Sequence, residues 1–146
     1  MDDSGRIYFS SNGVSWVYHQ TNRSAVFGDI RFAYALNQYV VILPDSSIWR
    51  SSNGTSWTQI NISSYLNDSS DPVSAVAGDG NAVVFYARNR AVYSENFSQW
   101  YTFDISTTGV SDAIVLADSI VATGSGSGVG TSLHLFQGGS PRSYAP

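Results

Sequence analysis

The 146-residue sequence contains no cysteine, no lysine and only one glutamate. Without cysteine the chain can form neither a disulfide framework nor a thiolate metal site. All seven basic residues are arginines and eleven residues are acidic, which gives a formal charge of −4 and a pI near 4.7. Because phosphate contacts require clustered cationic side chains, this balance disfavours nucleic acid as a partner.

Long apolar runs are missing as well. No stretch approaches the ~20 consecutive apolar residues of a membrane-spanning helix. The opening residues, MDDSGRIYF, lack the apolar segment of a Sec-type signal peptide. Abundant serine without lysine is typical of extracellular and virion proteins. We therefore expect a virion or extracellular surface location, reached without a Sec-type signal and without membrane insertion.

Apolar residues are nevertheless sufficient for a folded core. Hydrophobic residues make up 42% of the sequence and aromatic residues 14%, whereas charged residues make up only 12%. Disordered chains have the opposite balance. This length fits one compact domain, so we expect a single domain over residues 1–146.

Three copies of a short motif divide the sequence. They read SSNGVSW at residues 10–16, SSNGTSW at 51–57 and SENFSQW at 94–100, and are called here the first, second and third motifs. The shared residues are Ser10, Asn12 and Trp16, then Ser51, Asn53 and Trp57, then Ser94, Asn96 and Trp100. The three tryptophans are spaced by 41 and 43 residues. These spacings fall within the ~40–45-residue period of propeller blades.

Short β-branched and apolar runs, bounded by Asn, Asp and Gly, lie between the motifs. After the second motif, Thr58, Ile60 and Ile62 fall on one side of the predicted strand and Trp57 on the other. Two partly apolar faces favour a sheet stacked between neighbours. The sequence therefore predicts an all-β fold, a β-propeller of four-stranded blades of about 42 residues, with about three blade equivalents in the chain.

The motifs also predict the strand boundaries. An N-terminal outer hairpin is expected at residues 6–19 and full blades at about 25–62 and 72–105. Inner strands at 111–136 are expected to pair with the N-terminal hairpin and so complete a third blade. That blade would then have one strand more than the four expected. Propellers typically have ~4–8 blades, and open sheet faces and edges invite pairing. We therefore expect a homo-oligomer, with a two-fold dimer and a six-bladed ring favoured. The alternatives are a three-bladed monomer and a trimeric or higher cyclic assembly.

Each motif has the composition of a tight turn. Asn followed by Gly, at Asn12 and Gly13 and again at Asn53 and Gly54, tolerates positive φ. Ser and Asn side chains can hydrogen-bond the backbone of such a turn, and the tryptophan then fills the space beneath the hairpin. In the third motif Phe97 replaces the glycine, so we expect a different turn geometry there.

The pattern Ser-x-Asn-Gly-x-Ser-Trp resembles the Asp box of bacterial neuraminidase repeats. It is closest to the shortened form common in phage tail and bacterial surface propellers, with Asn in place of the usual Asp in all three copies. The resemblance implies a structural hairpin that joins the two outer strands of a blade, on the rim and away from the axial site. The alternative is that Trp16, Trp57 and Trp100 are exposed platforms on which sugars stack.

Enzymatic function is disfavoured by the residues present. Sialidases, which share this blade design, need an arginine cluster, a tyrosine nucleophile with a glutamate partner and an acidic residue. The single glutamate, Glu95, lies within the third motif, and no paired carboxylates indicate glycoside hydrolysis. His19 and His134 give no metal-binding spacing. We expect no catalytic, cofactor-binding or metal-binding residues.

The loops at the end opposite the motifs are longer and less repetitive, and such loops commonly carry recognition. The candidates there are Tyr65, Asn67, Arg88 and Arg90, with ordinary solvated loops as the alternative. We expect a structural or adhesion component of a larger assembly, such as a phage tail or capsid accessory protein. The expected partners are a second copy of the chain, other virion or surface proteins, and glycans. A glycan-binding lectin-like module is the alternative, and a sialidase-like hydrolase is less favoured.

Overall fold

A computed structural model describes residues 6–20, 30–68, 71–88 and 90–104, together with the backbone of four further strands between residues 110 and 144. Every regular element in these ranges is a β-strand, apart from one short 3-10 turn at Ser63–Tyr65. The all-β class predicted from the sequence is therefore confirmed. None of the described residues forms a helix with the length and hydropathy of a membrane span.

Fourteen antiparallel strands form a hairpin and three four-stranded sheets, in each of which the strands pair in chain order. The hairpin contains β1 (Arg6–Phe9) and β2 (Val17–Gln20). The first sheet contains β3 (Arg31–Ala35), β4 (Gln38–Ile42), β5 (Ile48–Ser51) and β6 (Thr58–Ile60). The second contains β7 (Val73–Gly78), β8 (Val83–Ala87), β9 (Arg90–Ser94) and β10 (Tyr101–Asp104). The third contains β11 (Val110–Leu116), β12 (Ser119–Ser125), β13 (Thr131–Gln137) and β14 (Ser140–Tyr144).

The third sheet differs from the sequence-based expectation. Its inner strands were expected to close with the N-terminal hairpin, whereas β13 pairs with β12 and β14 pairs with β13. The hairpin forms a two-stranded sheet of its own. Only Gly138 and Gly139 separate β13 from β14 in the sequence, and pairing across so short a connection costs much less chain entropy than pairing with a distant hairpin. The strand that the sequence left surplus is thus part of a complete third sheet.

The first and second sheets pack face to face. Their inner strands, β3 and β7, are in contact. One continuous cluster of buried side chains lies between them, and its members are Ala35, Val40, Ile42, Ile48, Ile62, Val73, Val76, Val83, Phe85, Ala87, Val92 and Phe97. Burial of this apolar surface is the main favourable term that holds the two sheets together.

The N-terminal hairpin packs on the opposite face of the first sheet. Ile7 of β1 is buried against Val41 and Leu43, and Trp49 and Trp57 pack on the same cluster. Successive side chains of β4 therefore face different parts of the molecule: Val40 faces the second sheet and Val41 faces the hairpin. The two-residue period of a strand requires this alternation. The first sheet is thus covered on both faces along β4 and β5.

The hairpin covers only part of that face, because it has two strands where each sheet has four. Phe32 and Tyr34 of β3 point to the hairpin side, where they flank Tyr39, and they remain 60% and 51% exposed. The inner strand of the first sheet thus presents an exposed aromatic surface.

The second sheet is buried on both faces as well. On the face away from the first sheet, the buried side chains are Ala75, Ala77, Val84, Tyr86 and Ala91. Contact between β7 and β11 joins the third sheet to the second. Burial raises the pKa of the Tyr86 phenol well above its ordinary value, because the phenolate would lose its hydration. Inner strands β3, β7 and β11 therefore follow one another across the molecule.

The first two sheets approach each other closely at a glycine. A Cβ atom on Gly78 would overlap the Cβ atom of Ala35 and the carbonyl oxygen of Ala82. Beside it, the Leu36 backbone N–H donates to the Asp79 carbonyl oxygen at 2.6 Å. That bond ties the β3–β4 turn to the end of β7, so the backbone there has no freedom to withdraw from a larger side chain.

We predict that Gly78→Ala lowers the free energy of unfolding by about 1–3 kcal/mol, the usual cost of overpacking a core. Gly80→Ala is the matched control, because a Cβ atom at Gly80 meets no atom within 4 Å; it should change stability by less than about 0.5 kcal/mol. Chemical denaturation followed by circular dichroism measures both variants. Equal stability of the two variants would contradict the close packing at Gly78.

Candidate functional site: the motif turns and the loop end

In the second motif the polar side chains bind the backbone of their own turn. Ser51 Oγ accepts hydrogen bonds from the backbone N–H groups of Asn53 and Gly54, at 3.3 and 2.8 Å. Asn53 Oδ1 accepts from the N–H groups of Thr55 and Ser56, both at 2.9 Å. The Ser51 hydroxyl donates in turn to Asn53 Oδ1 at 3.1 Å. Two side chains therefore satisfy four backbone donors that no strand partner could reach.

The first and third motifs repeat these four backbone bonds. Ser10 and Asn12 accept them in the first motif, and Ser94 and Asn96 in the third, over distances of 2.8–3.3 Å. These oxygens are engaged within the turn, so they are not directed at a ligand. An amide oxygen accepts the same two N–H groups that a carboxylate oxygen would, so Asn and Asp are equivalent acceptors in a turn of this geometry.

The third motif keeps the same turn geometry, so the expectation that Phe97 would change it is wrong. Gly13 and Gly54 have φ of 73° and 75°, and Phe97 has φ of 59°. Left-handed backbone costs a non-glycine residue roughly 1–2 kcal/mol. Burial of the Phe97 ring offsets that cost, because the ring is only 9% exposed and lies under the Arg50 guanidinium, 4.8 Å from its centroid.

The tryptophan of the second motif is packed and hydrogen-bonded. Trp57 is half-buried beside Ile7, Val41 and Leu43, and its Nε1–H donates to the Gly54 carbonyl oxygen at 2.9 Å. A ring fixed in this way joins the turn to the neighbouring hairpin. It is not a free platform for stacking a sugar.

The tryptophan of the third motif has an equivalent role. The Trp100 ring is half-buried, and its centroid lies 5.9 Å from that of Phe85, 6.3 Å from that of Phe97 and 6.4 Å from that of Tyr65. The first motif differs from both, because Trp16 is 60% exposed.

Contact between successive units recurs at the left-handed position of the motif. A Cβ atom on Gly54 would overlap the ring of Phe9, which comes from the preceding hairpin. At the third motif, Arg50 of the preceding sheet lies over Phe97. Phe9 and Arg50 are the residues immediately before the first and second motifs. The second and third motifs therefore each receive the side chain that immediately precedes the motif of the unit before.

Two of the four loop candidates are brought together at the second sheet. Arg90 donates from Nε and Nη2 to Asp104 Oδ1 at 3.0 and 2.9 Å, and from Nη1 to the Tyr65 carbonyl oxygen at 3.4 Å. The Tyr65 ring packs on Trp100. The contacts of Arg90 and Tyr65 thus attach the 3-10 turn to the sheet.

The other two candidates, Arg88 and Asn67, have different surroundings. Arg88 is 69% exposed and pairs with Asp71 at 3.4 Å, whereas the Asp71 carboxylate is 8% exposed. Asn67 is exposed on the loop that follows the 3-10 turn.

A polar cavity of about 380 Å³ lies at the same loop end. Its polar lining includes Asp45, Gln59, Asn61, Ser63 and Asp71, and none of the four loop candidates lines it. Sequence reasoning missed this cavity because two separate connections, β4–β5 and β6–β7, build it together. Across the described side chains, His, Asp and Glu nowhere gather in threes that could hold a metal ion.

Comparison with protein-family models finds none that matches the chain, and comparison with curated proteins finds no significant match. The resemblance to Asp boxes therefore stays a prediction that rests on the motif residues and on the hydrogen bonds described above.

We predict that Asn53→Ala lowers the free energy of unfolding by about 1–2 kcal/mol, because two backbone N–H groups lose their acceptor. Asn53→Asp keeps an oxygen at the same position and should remain within about 0.5 kcal/mol of the parent. Thermal melts of the two variants make the comparison. Equal losses in both would show that the oxygen at Asn53 has no structural role.

Proposed function

We propose that the chain is a non-enzymatic structural or adhesion component of a larger assembly, with a phage tail or capsid accessory protein as the favoured setting. The proposal rests on the structural role of the motif residues. Their polar atoms satisfy the turn backbone, and the rings of the second and third motifs join one sheet to the next. The most repeated part of the sequence is thus scaffold.

A propeller arrangement is part of this proposal. Each four-stranded sheet runs in chain order, and the inner strands β3, β7 and β11 contact one another in series. The first and second sheets pack face to face through apolar side chains. Blades in a propeller share these three properties, since each blade packs on its neighbours around an axis lined by inner strands. The Asp-box interpretation of the motifs supports the same arrangement.

The tyrosine and glutamate that lie together do not favour glycoside hydrolysis. The Tyr93 hydroxyl donates to Glu95 Oε1 on the exposed turn of the third motif. Burial, and then this bond to Glu95, raise the pKa of Tyr93 above its ordinary value. An adjacent carboxylate can activate a tyrosine nucleophile as a general base, but Tyr93 and Glu95 lie at the motif turn, where Glu95 is exposed, and neither lines the polar cavity. The pair therefore supports a structural role.

The assembly role is tested in particles from the source of the chain. Antibodies raised against the 146-residue protein should label purified virions, and the chain should sediment with them after washing in high salt. Recovery of the chain only as free protein, with none in the particle fraction, would contradict the proposal. A known surface protein of the particle, followed in the same gradient, controls for intact particles.

The polar cavity favours a second candidate function, which is glycan binding. Hydroxyl-rich ligands are held by Asp, Asn, Gln and Ser side chains, and these residue types line it. The cavity also lies at the loop end, where rigid scaffolds usually carry recognition.

For this second function we predict that Gln59→Ala weakens binding on a glycan array by about tenfold, because Gln59 lines the cavity and is exposed. Gln99→Ala is the matched control, since Gln99 is exposed on the motif turn at the other end of the strands. Binding that both variants lose equally, or no binding by the parent protein, would rule out this cavity as a glycan site.

A further inference from the structure

Asparagine followed by glycine is prone to deamidation, and the second motif contains this pair at Asn53 and Gly54. Glycine has no Cβ atom to hinder an attack by its own backbone nitrogen on the preceding side chain. In that reaction the Gly54 nitrogen loses its proton and attacks Asn53 Cγ. An N–Cγ bond forms, the Cγ–Nδ2 bond breaks, and Nδ2 takes up a proton and leaves as ammonia.

The product of this step is a succinimide ring, which water then opens in one of two ways. Hydrolysis of the new Cγ–N bond leaves aspartate, which keeps an oxygen that can accept the N–H groups of Thr55 and Ser56. Hydrolysis of the original backbone bond leaves isoaspartate, which carries the chain through the former side chain and lengthens the turn. Isoaspartate would therefore displace Gly54 from its contact with the Phe9 ring.

Hydrogen bonds of the folded turn engage both reacting groups. The Gly54 N–H donates to Ser51 Oγ at 2.8 Å, and the attacking nitrogen must lose the proton that makes this bond. Asn53 Oδ1 accepts from the N–H groups of Thr55 and Ser56. It also accepts from the Ser51 hydroxyl, and together these three bonds fix the orientation of the side-chain amide. Attack therefore requires the turn to open locally.

We propose that the Ser51 hydroxyl protects Asn53 from deamidation, and that the Ser10 hydroxyl protects Asn12 in the same way. In the first motif the Gly13 N–H donates to Ser10 Oγ at 2.8 Å. Asn12 Oδ1 accepts two further backbone N–H groups, both at 2.9 Å. The motif serine thus has a chemical role besides its structural one, and each asparagine becomes a modification site once that hydroxyl is removed.

The third motif is an internal reference, because Phe97 follows Asn96 there. The Phe97 N–H also donates to a serine, Ser94 Oγ, at 2.9 Å. A bulky side chain after asparagine hinders the attack whether the turn is closed or open. Asn96 should therefore react much more slowly than the asparagines of the other two motifs when the chain is unfolded.

Mass spectrometry of proteolytic peptides tests the proposal, after incubation of the full-length protein at mildly alkaline pH. In the folded parent protein, Asn12 and Asn53 should deamidate at least about tenfold more slowly than in guanidinium chloride, because breaking one hydrogen bond slows a reaction by about that factor. By the same reasoning, Ser51→Ala should accelerate deamidation at Asn53 about tenfold and leave Asn12 unchanged. Ser10→Ala should do the reverse.

Ser52→Ala is the matched control, since Ser52 is exposed and accepts none of the four backbone bonds of the turn. It should deamidate at the rate of the parent protein. Equal rates at Asn53 in Ser51→Ala and Ser52→Ala would overturn the proposal. Equal rates in the folded and the denatured parent protein would overturn it as well.

Each variant contains both asparagine–glycine pairs, so loss of one hydroxyl is distinguished from loss of the whole fold. In a variant that circular dichroism shows to be folded, equal acceleration at Asn12 and Asn53 would assign the protection to the fold as a whole and overturn the proposal. Ser10→Ala decides the outcome if Ser51→Ala fails to fold, because Ser10 is half-buried whereas Ser51 is buried.

Discussion

A four-stranded sheet with apolar side chains on both faces must bury each face against another element, and the fold depends on that constraint. Val40 and Val41, adjacent in β4, are both buried although they point in opposite directions. Each such strand requires a neighbour on either side. The hairpin and the second sheet supply these neighbours for the first sheet.

The motif turns allow the stack to be regular. Because Ser and Asn side chains satisfy the turn backbone, each hairpin keeps its shape without help from neighbouring loops. The residue with left-handed backbone then occupies the same position in each turn. A side chain of the preceding unit contacts it there, as the Phe9 ring does at Gly54 and Arg50 does at Phe97. Two different pairs of residues therefore build the same junction, which shows that the backbone geometry is what the repeat preserves.

Local features were predictable from the sequence, and features that depend on distant residues were not. The all-β class and the Ser and Asn bonds follow from residues within one turn or strand. The left-handed Phe97 was not predicted, because its stability comes from Arg50, which lies 47 positions earlier in the chain. The complete third sheet was missed because repeat counting assigned its last strands elsewhere. The polar cavity was missed because its lining comes from two connections that are separate in the sequence, β4–β5 and β6–β7.

The central claim is that the motif tryptophans hold the stack together, and the stability of Trp57→Ala tests it most directly. The account predicts that the variant loses about 3 kcal/mol of unfolding free energy, the low end of the range for large aromatic truncation, because Trp57 is half-buried. Tyr101→Ala, at a position that is 55% exposed, should lose less than about 1 kcal/mol. A Trp57→Ala protein that melts at the same temperature as the parent would contradict the account.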